Sequence, residues 1–90
     1  MKILNPWNGA TIADVATDDA RSVAAKYRAA RAAQPRWAAM PIRKRIETIA
    51  RFRERIVALE ETLARTLTHE VGKPIRQSRN ELKGLLARLD

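Results

Sequence analysis

PIRKRIETIARFRERIVALEETLARTLTHEVGKP, residues 41–74, is the stretch whose reading decides how this chain folds. Its apolar residues are Ile42, Ile46, Ile49, Phe52, Ile56, Leu59, Leu63, Leu67 and Val71, spaced by threes and fours, which places them on one side of an α-helix. The other side carries Arg43, Lys44, Glu47, Arg51, Glu54, Arg55, Glu61 and Arg65, so the helix is amphipathic and needs a surface to lie against. Both ends are marked. Pro41 suits a first-turn position that needs no N–H, Gly72 suits a left-handed stop, and Pro74 blocks continuation. The span 41–72 is therefore one long helix or a broken one, with Glu60-Glu61 able to open a second segment.

Working outward toward the N-terminus, residues 2–15 read as a β-hairpin. Asn8-Gly9 is a two-residue turn signal between Ile3-Leu4 and the alternating Thr11 to Val15, with Asn5-Pro6 at the shoulder. A two-stranded hairpin is barely stable alone in water, so this one needs helices or a larger sheet to rest on. Residues 17–34 read as a helix. Thr17 is the expected N-cap, Asp18 and Asp19 fill the first turn, and Pro35 ends the helix by pushing Gln34 out of the α region. The apolar face of this helix is mostly alanine, which favours helix but buries little. Trp37, in the expected connector, is the large anchor for that junction. Beyond Pro74, residues 75–90 read as a last helix carrying Ile75, Ser78, Leu82, Leu85, Leu86 and Leu89 on one face, with Gly84 permitting a close helix crossing. The fold class is mainly α with a short N-terminal β-hairpin, and 1–90 is a single, partial domain.

Composition narrows the function. The chain has 90 residues and no cysteine, which removes disulfides, thiolate metal sites and a cysteine nucleophile. No apolar run is long enough to span a membrane and no signal peptide opens the chain, so the expected location is cytoplasmic and no membrane partner is expected. The formal net charge of +8 invites a nucleic-acid reading. That charge is spread along the helices, however, and many arginines have a carboxylate at helical spacing, such as Glu47 with Arg51 and Glu61 with Arg65. A solvated face accounts for it. His69, the one histidine, sits in the last turn of the long helix, where an imidazolium interacts favourably with the helix C-terminus. No phosphate loop, dinucleotide fingerprint, GxSxG or histidine–carboxylate metal motif is present, so local motifs alone argue for no enzyme.

Several segments together resemble the N-terminal part of the NAD(P)-dependent aldehyde dehydrogenase superfamily. Asn5-Pro6 followed by Gly9 is similar to the family's Asn-Pro-x-Thr-Gly turn, and Ile12 to Val15 to the strand after it. The run from Ala29 to Trp37 resembles the family's alanine-rich helix end and its tryptophan, and Arg45 falls where an arginine is usual early in the next helix. Leu67-Thr68-His69-Glu70-Val71-Gly72-Lys73-Pro74 is similar to Leu-Thr-x-Glu-x-Gly-Lys-Pro, with Glu81 where a carboxylate commonly follows. Trp7, Asn8 and Ala10 depart from the usual turn residues.

The resemblance implies the helical N-terminal part of the α/β aldehyde dehydrogenase fold, lying in the region of the cofactor-binding domain of a longer enzyme. It implies aldehyde oxidation with NAD or NADP by the full-length enzyme. The attacking cysteine, the general-base glutamate and the cofactor elements lie further along, so no catalytic residue and no cofactor is expected on this chain. The implied partners are the remainder of the dehydrogenase chain, the aldehyde substrate and further copies in a homo-oligomer. It also implies a monovalent cation site using Glu70 and backbone carbonyls before Asn5-Pro6, since oxygen ligands suit a hard cation. The alternative is a small basic helical module that binds nucleic acid or a protein partner.

Overall fold

The computed structural model describes residues 1–90. Its elements are β1 (Lys2–Leu4), β2 (Thr11–Asp14), α1 (Ala20–Ala39), α2 (Ile42–Val71) and α3 (Ile75–Leu89). The mainly α class with an N-terminal hairpin is what the sequence pattern anticipates. No helix is long and apolar enough to cross a membrane.

β1 and β2 pair antiparallel, Lys2 opposite Asp14 and Ile3 opposite Ala13, with a register irregularity between Ile3 and Leu4. The N-terminal ammonium closes the open end on Asp14 Oδ1 at 3.0 Å. The connection is not the expected two-residue turn at Asn8-Gly9. It occupies Asn5–Ala10, where the Asn5 amide donates to the Ala10 carbonyl at 2.9 Å and the Gly9 amide to the Asn5 carbonyl at 2.8 Å. Pro6 has no N–H for a tight ladder, and the Asn5 side chain accepts from the Trp7 amide at 2.9 Å, so the chain widens into a loop at Asn5. Gly9 retains its role, with φ at 70°.

The start of α1 differs from the reading that gave the cap to Thr17. Asp19 is the N-cap, its carboxylate accepting from the Ser22 amide at 2.8 Å while the Ser22 hydroxyl accepts from the Asp19 amide at 2.9 Å. A reciprocal box satisfies two orphan donors and prevails over a lone threonine two residues earlier. The end differs too. Pro35 lies inside α1, which runs on to Ala39, so Trp37 belongs to the last helical turn and not to a connector. Proline inside a helix removes one hydrogen bond at a cost of about 3 kcal/mol. Here Ala32-Ala33 and Ala38-Ala39 lie on either side of Gln34-Pro35-Arg36-Trp37, and the Met40 amide closes the end on the Trp37 carbonyl at 3.1 Å. No residue of α1 is buried.

α2 is unbroken through Glu60-Glu61. Pro41 stands at its N-cap, one position before the expected first turn, and its carbonyl accepts from Lys44 and Arg45 amides. At the other end Gly72 adopts φ 73° and donates to the Thr68 carbonyl at 2.9 Å. Pro74 caps α3 with its carbonyl in the same way as Pro41 caps α2.

α2 and α3 form the one substantial interhelical contact. Only Ala64, Ser78 and Leu82 are buried in the whole chain, all three at this seam. Small residues let the backbones approach, and the Ser78 hydroxyl, fully enclosed, meets the Thr68 hydroxyl at 2.8 Å. The close crossing falls at Ala64 and Ser78 and not at Gly84, where an added Cβ would meet only Arg88 of the same helix. The molecule is a slab of 48 × 36 × 16 Å with a radius of gyration of 17.1 Å. A compact domain of this length has a radius of about 12 Å.

Candidate functional site

The C-terminus of α2 and the β-hairpin loop meet at one corner. The last turn of α2 carries Thr68, His69 and Glu70, and Gly72 turns the chain into α3. Gly72 is required there twice over: its φ is positive, and a Cβ would stand 2.8 Å from Pro6 Cγ. The shoulder of the hairpin thus rests on the end of the long helix. Between them lies an open cleft of about 310 Å³ lined by Asn5, Trp7, Thr68, His69 and Gly72. Trp7, at the wall of the cleft, is 90% exposed.

Glu70 is exposed on this last turn and does not line the cleft. The fold brings its helix end against Asn5-Pro6. No group of three or more His, Cys, Asp or Glu side chains gathers anywhere in the chain. Across the α2–α3 turn Lys73 pairs with Glu81, the carboxylate noted in the sequence, and this ion pair ties the second turn of α3 to the segment before the helix.

A second set of charges fastens the two helices along their length. Glu61 accepts from Arg79 Nε at 2.9 Å and from Arg79 Nη2 at 2.8 Å, and from Arg65 Nε at 3.1 Å. The bidentate Arg79 fork is the first cause that holds the Glu61 carboxyl below the usual carboxylate range, and Glu61 in turn raises Arg79. The Glu61–Arg65 pair was legible from its spacing; Arg79, on another helix, was not. The expected Glu47–Arg51 pair does not form. Glu47 instead accepts from Lys44 at 2.9 Å, and Arg51 reaches Thr48 at 3.5 Å.

At the far end of the seam a groove of about 530 Å³ opens between the N-terminal half of α2 and the end of α3. Ile42, Ile46 and Ile49 form its floor, Leu89 and Asp90 its end, and Arg45 and Arg53 its edge. Arg53 Nε lies 2.6 Å from Asp90 Oδ1 and Arg53 Nη2 donates to Asp90 Oδ2 at 3.2 Å, yet neither Arg53 Nε nor Arg45 Nε, both out of water, makes a hydrogen bond. None of these groups makes a nucleophile–base pair or a hydride site.

The sequence matches the aldehyde dehydrogenase family over residues 1–90. The chain belongs to the aldehyde dehydrogenase family. The chain is 36% identical over 85 residues to N-succinylglutamate 5-semialdehyde dehydrogenase 1 of Caulobacter vibrioides, covering 94% of the chain and 18% of that protein. It is 35% identical over 86 residues to N-succinylglutamate 5-semialdehyde dehydrogenase of Chromobacterium violaceum, covering 96% of the chain and 18% of the relative. With 3,6-anhydro-alpha-L-galactose dehydrogenase of Streptomyces coelicolor the identity is 31% over 90 residues, the whole chain and again 18% of the relative. The chain therefore spans under a fifth of the length of these relatives. No solved structure matches it significantly.

Two features, one at the start of α1 and one at the corner, escaped the sequence reading. The Asp19–Ser22 box was visible as an Asp followed three residues later by Ser, and Thr17 distracted from it. The seating of Pro6 on Gly72 had no local signal, because it joins residues far apart in the chain.

Proposed function

We propose that this chain is the N-terminal structural segment of a longer oxidoreductase that oxidises an aldehyde to a carboxylic acid with NAD or NADP, and that it is not catalytically competent alone. The observation that carries this is the mismatch between family and extent: a dehydrogenase chain that covers 18% of its relatives leaves most of its own apolar stripe uncovered. Its accessible surface is 7500 Å², where a folded monomer of 10.2 kDa exposes about 5,300 Å². The excess is the area a larger body would cover. α1, with Val23 and Tyr27 exposed, and the bare half of α2 are then docking faces for the remainder of the polypeptide.

The chain has no cysteine to attack an aldehyde carbonyl and no glycine-rich turn to receive a pyrophosphate, so both tasks fall to the remainder. The substrates named by its relatives, N-succinylglutamate 5-semialdehyde and 3,6-anhydro-alpha-L-galactose, are the first to assay. Glu70, beside the hairpin shoulder, supplies the one side-chain oxygen of a monovalent cation site whose other ligands are backbone carbonyls. Homo-oligomerisation is a property we assign to the whole enzyme.

The test is the intact mass of the native protein together with its assay. A species several times heavier than 10.2 kDa, active with an aldehyde and NAD(P), supports the reading. Turnover by the pure 90-residue chain, or a native species of 10.2 kDa, overturns it. For Glu70, an alkali-ion effect on the stability of the protein that disappears in Glu70→Ala supports the site, and an unchanged ion response removes it.

A further inference from the structure

The chain has three asparagines, Asn5, Asn8 and Asn80, and only one of them is placed to react with its own backbone. An asparagine loses its side-chain amide when the amide nitrogen of the next residue closes on it to form a cyclic imide. Asn5 precedes Pro6, whose nitrogen has no proton to give up. Asn80 lies inside α3, where the helical backbone fixes the Glu81 amide out of line for that attack. Asn8 precedes Gly9, which has no Cβ to hinder the approach.

The hairpin loop completes the arrangement. Asn8 and Gly9 are both exposed, and a Cβ placed on Gly9 would meet nothing within 4 Å. The Asn8 side-chain oxygen accepts from the Ala10 amide at 3.0 Å, which folds the carboxamide back along the Asn8–Ala10 segment and draws electrons from the carbon under attack. Against this, the Gly9 amide donates to the Asn5 carbonyl at 2.8 Å, so the proton that must leave is held. That exposed hydrogen bond is a brake that opens readily in a solvated loop.

We propose that Asn8 is a site of spontaneous covalent modification, converted through a cyclic imide to aspartate and isoaspartate, and that its conversion opens the hairpin loop. When the bond to Asn5 opens, the Gly9 nitrogen gives its proton to hydroxide and attacks Asn8 Cγ. The new bond from Gly9 nitrogen to Cγ closes the ring, the Cγ–Nδ2 bond breaks, and ammonia leaves with a proton taken from water. Water then opens the imide. Cleavage at Cγ gives aspartate, and cleavage at the main-chain carbonyl carbon gives isoaspartate; the sum is one water gained and one ammonia lost, with no oxidation or reduction. Isoaspartate routes the main chain through the side-chain methylene, so an extra carbon enters a loop that the Asn5 amide and Ala10 carbonyl close at 2.9 Å. Aspartate adds a negative charge to the same loop, whose Pro6 sits on the C-terminal, negative pole of α2.

The experiment ages the full polypeptide encoded by the source gene in warm, mildly alkaline buffer, with a urea-unfolded sample as the positive control. Mass spectrometry of separated peptides reads each asparagine. The expected result is that the peptide containing residue 8 exchanges ammonia for water at a rate proportional to hydroxide and splits into aspartate and isoaspartate forms, while Asn5 and Asn80 stay intact. Gly9→Ala should slow the conversion several-fold, because its Cβ obstructs ring closure. Amide exchange at Asn5 should be several-fold faster in the aged protein than in the fresh one. An unconverted Asn8 beside a converted urea control overturns the proposal, as does faster loss at Asn80, an equal rate in Gly9→Ala, or unchanged exchange at Asn5. Should Gly9→Ala fail to fold, the two sequences are compared in urea, where ring closure needs no fold and the same slowing is expected. This chemistry needs only the loop, so its failure leaves the dehydrogenase reading untouched.

Discussion

The two halves of α2 carry the same stripe and live in different surroundings. Toward the C-terminal half Ile56, Leu63 and Leu67 are half-buried, Ala64 is fully enclosed and Glu61 is clamped by Arg79, and only Leu59 and Val71 of the stripe stay exposed there. In the N-terminal half Ile42, Ile46, Ile49 and Phe52 follow the same three-and-four spacing and stay exposed. Helical periodicity therefore reports where a side chain points, and only the neighbouring element decides whether it leaves water. α1 extends the lesson, since an alanine-rich face with high helix propensity buries none of its residues within this chain.

The contrast is broken most forcefully by enlarging a small residue on each side. Ala64→Leu should destabilise the chain by about 1–3 kcal/mol or more in urea unfolding, because the enclosed seam has no room for the added carbons. Ala50→Leu, on the bare half, should fall within about 0.5 kcal/mol of the parent. Equal effects would mean that the seam is not specifically packed.

Gly72→Ala comes next. A left-handed backbone costs a residue with a Cβ about 1–2 kcal/mol, and the contact with Pro6 adds to that. The same change combined with Pro6→Ala should recover the steric part and retain the backbone part, which a double-mutant cycle measures.

Removing the α1 cap should act on one helix alone. Asp19→Ala should raise amide exchange at Ser22 and Val23 and lower helical circular dichroism modestly, with no change in exchange across the α2–α3 seam. Spread of the effect to α2 would show that α1 is not the separate arm its exposure implies.

The smallest effect is electrostatic. Arg79 holds the folded Glu61 carboxyl below its ordinary value, so the folded state binds this proton less readily than the unfolded chain. The resulting stability is present above the unfolded carboxylate value of about 4.3 and is lost as pH falls through the lowered folded value. Because Glu61 and Arg79 sit in water the contribution is minor and screened by salt. Glu61→Gln should flatten that acid limb of the stability curve, and an identical limb in both proteins would remove the clamp from the account.

Much of the architecture was legible. The stop of α2 could be read at Gly72 because a left-handed position there demands glycine, whereas the sequence left open whether α2 breaks at Glu60-Glu61, and only the structure shows it unbroken. The misreadings were local contests whose outcome depends on energies of similar size. Pro35 usually ends a helix, yet alanines on both sides and an unencumbered surface let α1 continue. Asn8-Gly9 is a strong hairpin signal, yet Asn5 and Pro6 imposed a wider loop first. At the corner, Glu70 and the Gly72-Lys73-Pro74 turn could be located from sequence, whereas Pro6 on Gly72 and Arg79 on Glu61 join residues too distant along the chain for any spacing rule to pair.

Sequence by itself determined the helices, the hairpin, the family and the absence of a cysteine nucleophile, because these depend on residue identity and short-range periodicity. Tertiary structure alone decided which part of the stripe is covered, that the close approach falls at Ala64 and Ser78, and that Arg45 Nε and Arg53 Nε are shut from water without a hydrogen-bond acceptor. Burial is a relation between elements: it exists only where a second surface arrives, and no single stretch of chain encodes that meeting.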